Sequence, residues 1–201
     1  MNSYTGNFIV LEGIDGSGKS TVLNGLKNRF SKSKWEFTQE PSNGVYGRTL
    51  RDELKSESQG TLSDLFMFYA DRVDHCESLI GPRLEKGINI VSDRYYPSSY
   101  AYQTKYLQEY IGDDASNFVR ELTDNFVIEP DLILIIDIDV DTAMERLNGG
   151  DEKFENRKEL ERAAIRYRNI AEEKDNTVLI DGDISRDVLI NICQREIQYR
   201  V

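Results

Sequence analysis

Apolar positions along this chain fall into short continuous runs separated by longer stretches of helical spacing. The run FIVLE (8–12) is β-rich and stops at Gly13, which predicts a buried strand. Further strands are predicted at WEFTQ (35–39), INIVS (88–92), LILIIDI (132–138) and TVLID (177–181). Between them the spacing predicts helices from Lys19 to about Phe30 and near 44–56, 61–85, 98–109, 114–125, 140–147, 158–173 and 185–199. Strand and helix alternate. The pattern therefore implies an α/β fold: a five-stranded parallel sheet with helices on both faces.

Composition narrows this picture without changing it. The 201 residues are 39% hydrophobic, enough for one domain spanning 1–201 with a substantial core. No repeat, low-complexity tract or linker interrupts it. The opening MNSYTGN lacks a basic start and an apolar run, and no stretch approaches the roughly 20 apolar residues of a membrane span. A cytoplasmic protein with no membrane partner is expected. Cys76 and Cys193 lie far apart, with neither a CxxC pair nor a His cluster, so two reduced thiols are expected rather than a zinc site or a disulfide. A net charge of -11 argues against nucleic-acid binding. Any anionic ligand must meet a local cluster of Lys and Arg.

That cluster has an obvious place to form. GIDGSGKST (13–21) satisfies G-x-x-x-x-G-K-[ST] through Gly13, Gly18, Lys19 and Ser20, and it sits between a predicted strand and a predicted helix. Backbone N–H groups of Gly13, Ile14, Asp15, Gly16, Ser17, Gly18, Lys19, Ser20 and Thr21 would surround the phosphates of ATP. Lys19 would neutralise the β and γ phosphates, and the Ser20 hydroxyl would ligate Mg2+. Asp15 is out of place in such a loop, because a carboxylate repels what the loop attracts. No NKxD guanine motif is present, and no second acid directly follows the first in LILIIDID, so a small kinase fits better than a GTPase or a motor-like ATPase. In that setting the polar, glycine-containing NGGDEKFENR (148–157) reads as a short lid over the nucleotide.

Two stretches bear on the acceptor. Phe68 and Arg72 are spaced i,i+4, which suits either a ring and a forked cation receiving a nucleobase or a core ring beside a paired arginine. DRYYPSSYAYQ (93–103) follows a strand, at the end where α/β sheets place ligands. Asp93 would hold a magnesium-bound water, and Arg94 would contact the phosphoryl group in flight. Ser98 and Tyr102 share one helix face.

Taken together, FIVLEGIDGSGKST, TQEP with GRTLR, FYADR, DRYYPSSYAYQ, PDLILIIDIDVDTAMERL and VLIDGDISRDVLINI resemble, in order and spacing, the thymidylate kinase family of P-loop kinases. The resemblance implies the P-loop kinase fold and the reaction ATP + dTMP giving ADP + dTDP, a step toward dTTP. It implies that Phe68 stacks on thymine, that Arg72 donates to its O4 edge, and that Ser98 and Gln103 hold the rest of that edge. Tyr102 would crowd C2′ of the sugar, Arg51 and Arg94 would grip the dTMP phosphate, and Glu40-Pro41 would line that pocket through a cis bond. Asp15 would accept the acceptor's 3′-hydroxyl. A homodimer packed through long helices, including the one bearing Phe68, is also implied.

There are departures from the family pattern. Position 16 is glycine where some members carry arginine, and the lid offers Lys153 where others supply one, with Arg157 as a possible substitute. TQEPSN replaces the usual TREPGG. Two alternatives stay open. One is a deoxynucleoside kinase using Glu40 as base. The other is a nucleotide-binding regulator without turnover. The lone His75 reads as structural.

Overall fold

A computed structural model describes residues 4–55, 62–147 and 156–201. Among them, β1 (Phe8–Glu12), β2 (Trp35–Gln39), β3 (Asn89–Asp93), β4 (Leu132–Asp137) and β5 (Thr177–Asp181) form one all-parallel sheet in the order β2-β3-β1-β4-β5. All five lie within a residue or so of the positions predicted from apolar runs.

β1 is buried along its whole length because it lies at the centre of the sheet with helices on both faces. It pairs with β3 on one side and β4 on the other, so the chain changes direction there. Ligands of α/β sheets bind outside the carboxyl ends of the strands at such a switch point. Leu11 lies opposite Asp93 in the register, and Arg94 N–H donates to Leu11 O (2.9 Å), which brings the ends of β1 and β3 together.

The helices are α1 (Lys19–Lys27), α2 (Val45–Leu54), α3 (Leu62–His75), α4 (Gly81–Glu85), α5 (Tyr96–Tyr102), α6 (Thr104–Ile111), α7 (Ala115–Phe126), α8 (Val140–Arg146), α9 (Arg157–Glu173) and α10 (Arg186–Arg200). The main core joins Phe8 to Leu11 and Ile133 to Ile136 with Val22 and Leu26 of α1, Leu160 and Tyr167 of α9, and Cys193 and Ile197 of α10. A smaller cluster of Leu65, Tyr69, Leu107, Ala115 and Val119 ties α3 to α6 and α7. No helix of the described residues is long and apolar enough to cross a membrane.

Two predicted helices need correction. The helix expected over 61–85 is interrupted by a π-helical turn, Cys76–Ile80, with Gly81 N–H donating to Cys76 O. Pro82 lacks an N–H, and the wider turn before it accommodates that loss. The helix expected over 98–109 begins earlier, at Tyr96, with Pro97 in its first turn. It also breaks at Gln103, which ends α5 and caps α6.

Candidate active site

The loop between β1 and α1 depends on its glycines. Gly13 (φ 138°) and Gly16 (φ 79°) occupy the left-handed half of backbone space, and a Cβ on Gly13 would lie 2.4 Å from Ile136 O. Lys19, the first residue of α1, is 6% exposed, and its Nζ donates to Gly13 O (3.0 Å) and Ile14 O (2.8 Å). Burial, reinforced by the charge of Arg94, lowers its pKa to about 8 against the opposing pull of Asp15, Asp93 and Glu12. A phosphate beside this ammonium would restore its charge fully.

A cleft of about 570 Å³ opens over the loop and is lined by Asp15 to Thr21, Glu40, Asp93, Arg94, Arg146 and Arg186, among others. In a chain of net charge -11 this gathers Lys19, Arg94, Arg146 and Arg186 around one cavity. Ser20 Oγ donates to Asp93 Oδ2 (2.9 Å), while Asp93 Oδ1 is buried with no hydrogen-bond partner among the described residues. A hydroxyl and a carboxylate with a spare oxygen are hard donors, and they fit a magnesium ion whose other positions are filled by water and substrate phosphates.

Asp15 turns to the other wall. Arg94 Nη2 bonds its Oδ1, Tyr102 OH donates to its Oδ2 (3.3 Å), and the Arg94 guanidinium lies over the Tyr102 ring at 5.7 Å. Burial raises the Asp15 pKa, but the charges of Arg94 and Lys19 and the bonds from Arg94 and Tyr102 outweigh it and hold the carboxyl below its ordinary value. Arg94 has φ 72°, a left-handed conformation unusual for a side chain of this size.

Glu40 lines the cleft, and behind it Arg72 (1% exposed) donates through Nε to Glu40 Oε2 (2.9 Å) and through Nη1 to Ser99 Oγ (3.1 Å), beside the rings of Tyr69 and Tyr95. His75 bonds Glu40 Oε1 through Nδ1 (3.2 Å) and Thr38 Oγ1 through Nε2 (2.8 Å). Both Glu40 oxygens are therefore engaged. The Glu40-Pro41 peptide is cis, and Arg51 Nη1 donates to Pro41 O and Ser42 O, both at 2.6 Å. Phe68 is buried yet belongs to neither core cluster. Gln103 is 2% exposed, and its Oε1 has no hydrogen-bond partner among the described residues. An unfilled acceptor of this kind suits a ligand N–H.

Ser98, expected with Gln103 at the base edge, does not bond Arg72; the hydroxyl that does is that of Ser99. Ser98 Oγ instead donates to Glu12 Oε2 (2.8 Å) and accepts from Arg94 Nη1 (3.0 Å). The two serines adjoin on one helix, about 100° apart, so their hydroxyls turn to different walls. Arg157 is half exposed and pairs with Asp141 and Glu161. Lys153 and most of the expected lid lie outside the described residues.

Glu12, Arg146 and Arg186 belong to the site without being singled out by any sequence motif. Arg146 Nη1 donates to Gly16 O (3.1 Å). Its only sequence signal is a cation in the last turn of a helix following an apolar strand. Glu12 could have been noticed as an acid ending an otherwise apolar buried run.

Comparison with known proteins shows the family. The family model described as Thymidylate kinase matches residues 11–190. A probable thymidylate kinase of Methanococcoides burtonii is 36% identical over 192 residues, covering 92% of this chain and 94% of its own. A thymidylate kinase of Francisella tularensis subsp. novicida is 36% identical over 195 residues, covering 87% of each. The solved structure of a thymidylate kinase from Candida albicans superposes with a TM-score of 0.81 at 22% identity, covering 98% of this chain and 93% of that one, and supports the P-loop kinase fold. With the family model matching most of its length and its relatives aligned nearly end to end, the chain belongs to the thymidylate kinase family.

Proposed function

We propose that this protein transfers the γ-phosphoryl group of ATP to dTMP, giving ADP and dTDP for dTTP synthesis. The observation that carries this reading is the continuous unit of Lys19, Asp15, Arg94 and Tyr102. A phosphate cradle and an acceptor clamp meet there at the carboxyl ends of β1 and β3.

ATP binds with its phosphates against the loop N–H groups and the amino end of α1. The dTMP phosphate lies between Arg51 and Arg94, its sugar against Tyr102 and Asp15, and its base between Phe68, Arg72 and Gln103. The attacking phosphate oxygen is already ionised at neutral pH, so no general base is required. Catalysis rests on alignment and on neutralisation of charge by Lys19 and Arg94, with Lys153 or Arg157 contributing from the lid. Magnesium, held through Ser20 and a water on Asp93, would supply further neutralisation of the β and γ oxygens.

The deoxynucleoside-kinase alternative fits less well, because an uncharged nucleoside acceptor carries no phosphate for Arg51 and Arg94 to bind. Incubation of the protein with ATP labelled at the γ position tests the reading by separating dTMP from dTDP. Label in dTDP supports it, whereas label released only as inorganic phosphate contradicts it.

The homodimer and the cytoplasmic location are part of the same proposal. Tyr46 (51% exposed) and Phe126 (61%) flank a groove of about 450 Å³ along α3 that also includes Tyr69, Val73 and Leu122. An apolar face of this kind suits a second copy of the chain. Sedimentation equilibrium should give twice the chain mass, falling to one chain mass in Phe126→Glu. A wild-type monomer at micromolar concentration would contradict the dimer.

A further inference from the structure

Glu12 is the last residue of β1 and 0% exposed, and the reaction as described does not use it. Its Oε1 accepts from the backbone N–H groups of Tyr95 (2.8 Å) and Ser98 (3.3 Å). Its Oε2 accepts from Ser98 Oγ (2.8 Å) and Tyr167 OH (2.8 Å). Four donors thus converge on one carboxyl group. With its proton directed at Glu12, Ser98 presents a lone pair to Arg94 Nη1 at 3.0 Å. The other arm of the same guanidinium reaches Asp15.

Arg94 is therefore held from two sides, by Asp15 directly and by Glu12 through Ser98. Its backbone is fixed as well: Ser92 Oγ donates to Arg94 O (2.8 Å), and φ stays at 72°. A left-handed arginine persists only where its surroundings over-determine it. Tyr167 brings α9 into the network, and its neighbour Arg166 donates to Ala101 O (3.0 Å) near the far end of α5. Two consecutive residues of α9 secure α5, and with it the position of Ser98.

We propose that Glu12, acting through Ser98 and supported by Tyr167, is a positioning residue that sets the Arg94 guanidinium for the phosphoryl group passing between the two nucleotides. The proposal rests on the reading that Arg94 contacts that group.

Steady-state kinetics of a Glu12→Gln variant would test it. The amide keeps the shape of Glu12 but turns an NH2 toward one pair of donors. We expect kcat/KM for dTMP to fall about ten- to a hundredfold while KM for ATP stays within about twofold. In an Arg94→Ala background the same change should add less than about twofold, because a residue acting through Arg94 has nothing left to position. Tyr167→Phe should show the same pattern with a smaller loss, and it decides the matter if Glu12→Gln does not fold. Unchanged dTMP kinetics in a folded variant, or a full additional loss in the Arg94→Ala background, would overturn the proposal. Wild-type protein that turns over no dTMP would instead sink the functional reading and this inference with it.

Discussion

Replacing Glu40 by glutamine leaves the Arg72 guanidinium without its counter-charge in a site where the two side chains are 1% and 2% exposed. Removing one partner of a buried ion pair costs about 3–5 kcal/mol. Two features favour the lower end. The glutamine carbonyl can still accept from Arg72 Nε, and the Tyr69 and Tyr95 rings stand 4.9 and 5.3 Å from the guanidinium. A loss of about 3 kcal/mol lowers Tm by about 6–12 °C in a chain of this size. Arg72→Met leaves the Glu40 carboxylate bonded to His75 alone among the described residues and should cost a similar amount. The double variant removes both charges together, so it should be no less stable than the worse single variant, with a coupling of about 2 kcal/mol or more. Urea unfolding of the four proteins measures this directly, and KM for dTMP should rise in each variant because Arg72 is displaced. Additive destabilisation would refute the pairing argument. An unchanged Tm with abolished kcat in Glu40→Gln would refute it differently, since that is the behaviour of a catalytic base.

Lys19→Met should lower kcat about a hundredfold or more, by removing the cation at the transferring phosphate. The same variant reports on linkage: Lys19 has a pKa of about 8 when folded against an ordinary 10.5, so between these values the unfolded chain binds more protons. Wild-type stability should rise relative to Lys19→Met as pH climbs through that window, by about 3 kcal/mol in total. Urea midpoints at several pH values would reveal it, and a constant difference would contradict it. Gly47→Ala should destabilise the protein by about 3 kcal/mol, because the new Cβ would lie 2.2 Å from Ser42 O and 2.6 Å from Ser42 N. Its KM for dTMP should rise as well, since Arg51 is anchored on Pro41 and Ser42; a wild-type Tm in that variant would contradict the packing.

The strands were legible because each is a compact apolar run, and FIVLE ending at Gly13 also located the phosphate loop. The interruptions in the helices were not, since a π turn at Cys76–Ile80 and a break at Gln103 leave helical spacing almost intact. Asp15, Arg94 and Tyr102 could be grouped from motif order, but their mutual contacts depend on β1 and β3 being neighbours, a long-range fact. Ser98 and Ser99 look interchangeable in one dimension. They face different walls because adjacent residues on α5 lie about 100° apart around the helix. Glu12 escaped notice because the apolar pattern marks burial and says nothing of a polar side chain buried with it. Its partners come from residues 95, 98 and 167, far away in sequence.

The central claim is that the cleft joins a triphosphate cradle to a clamp for an acceptor that already carries a phosphate. Its most direct test is ADP release with ATP and magnesium present, comparing dTMP with thymidine as acceptor. The account predicts turnover with dTMP and little or none with thymidine, because Arg51 and Arg94 would then face no anion. Faster turnover with thymidine, or none with either acceptor, would contradict it.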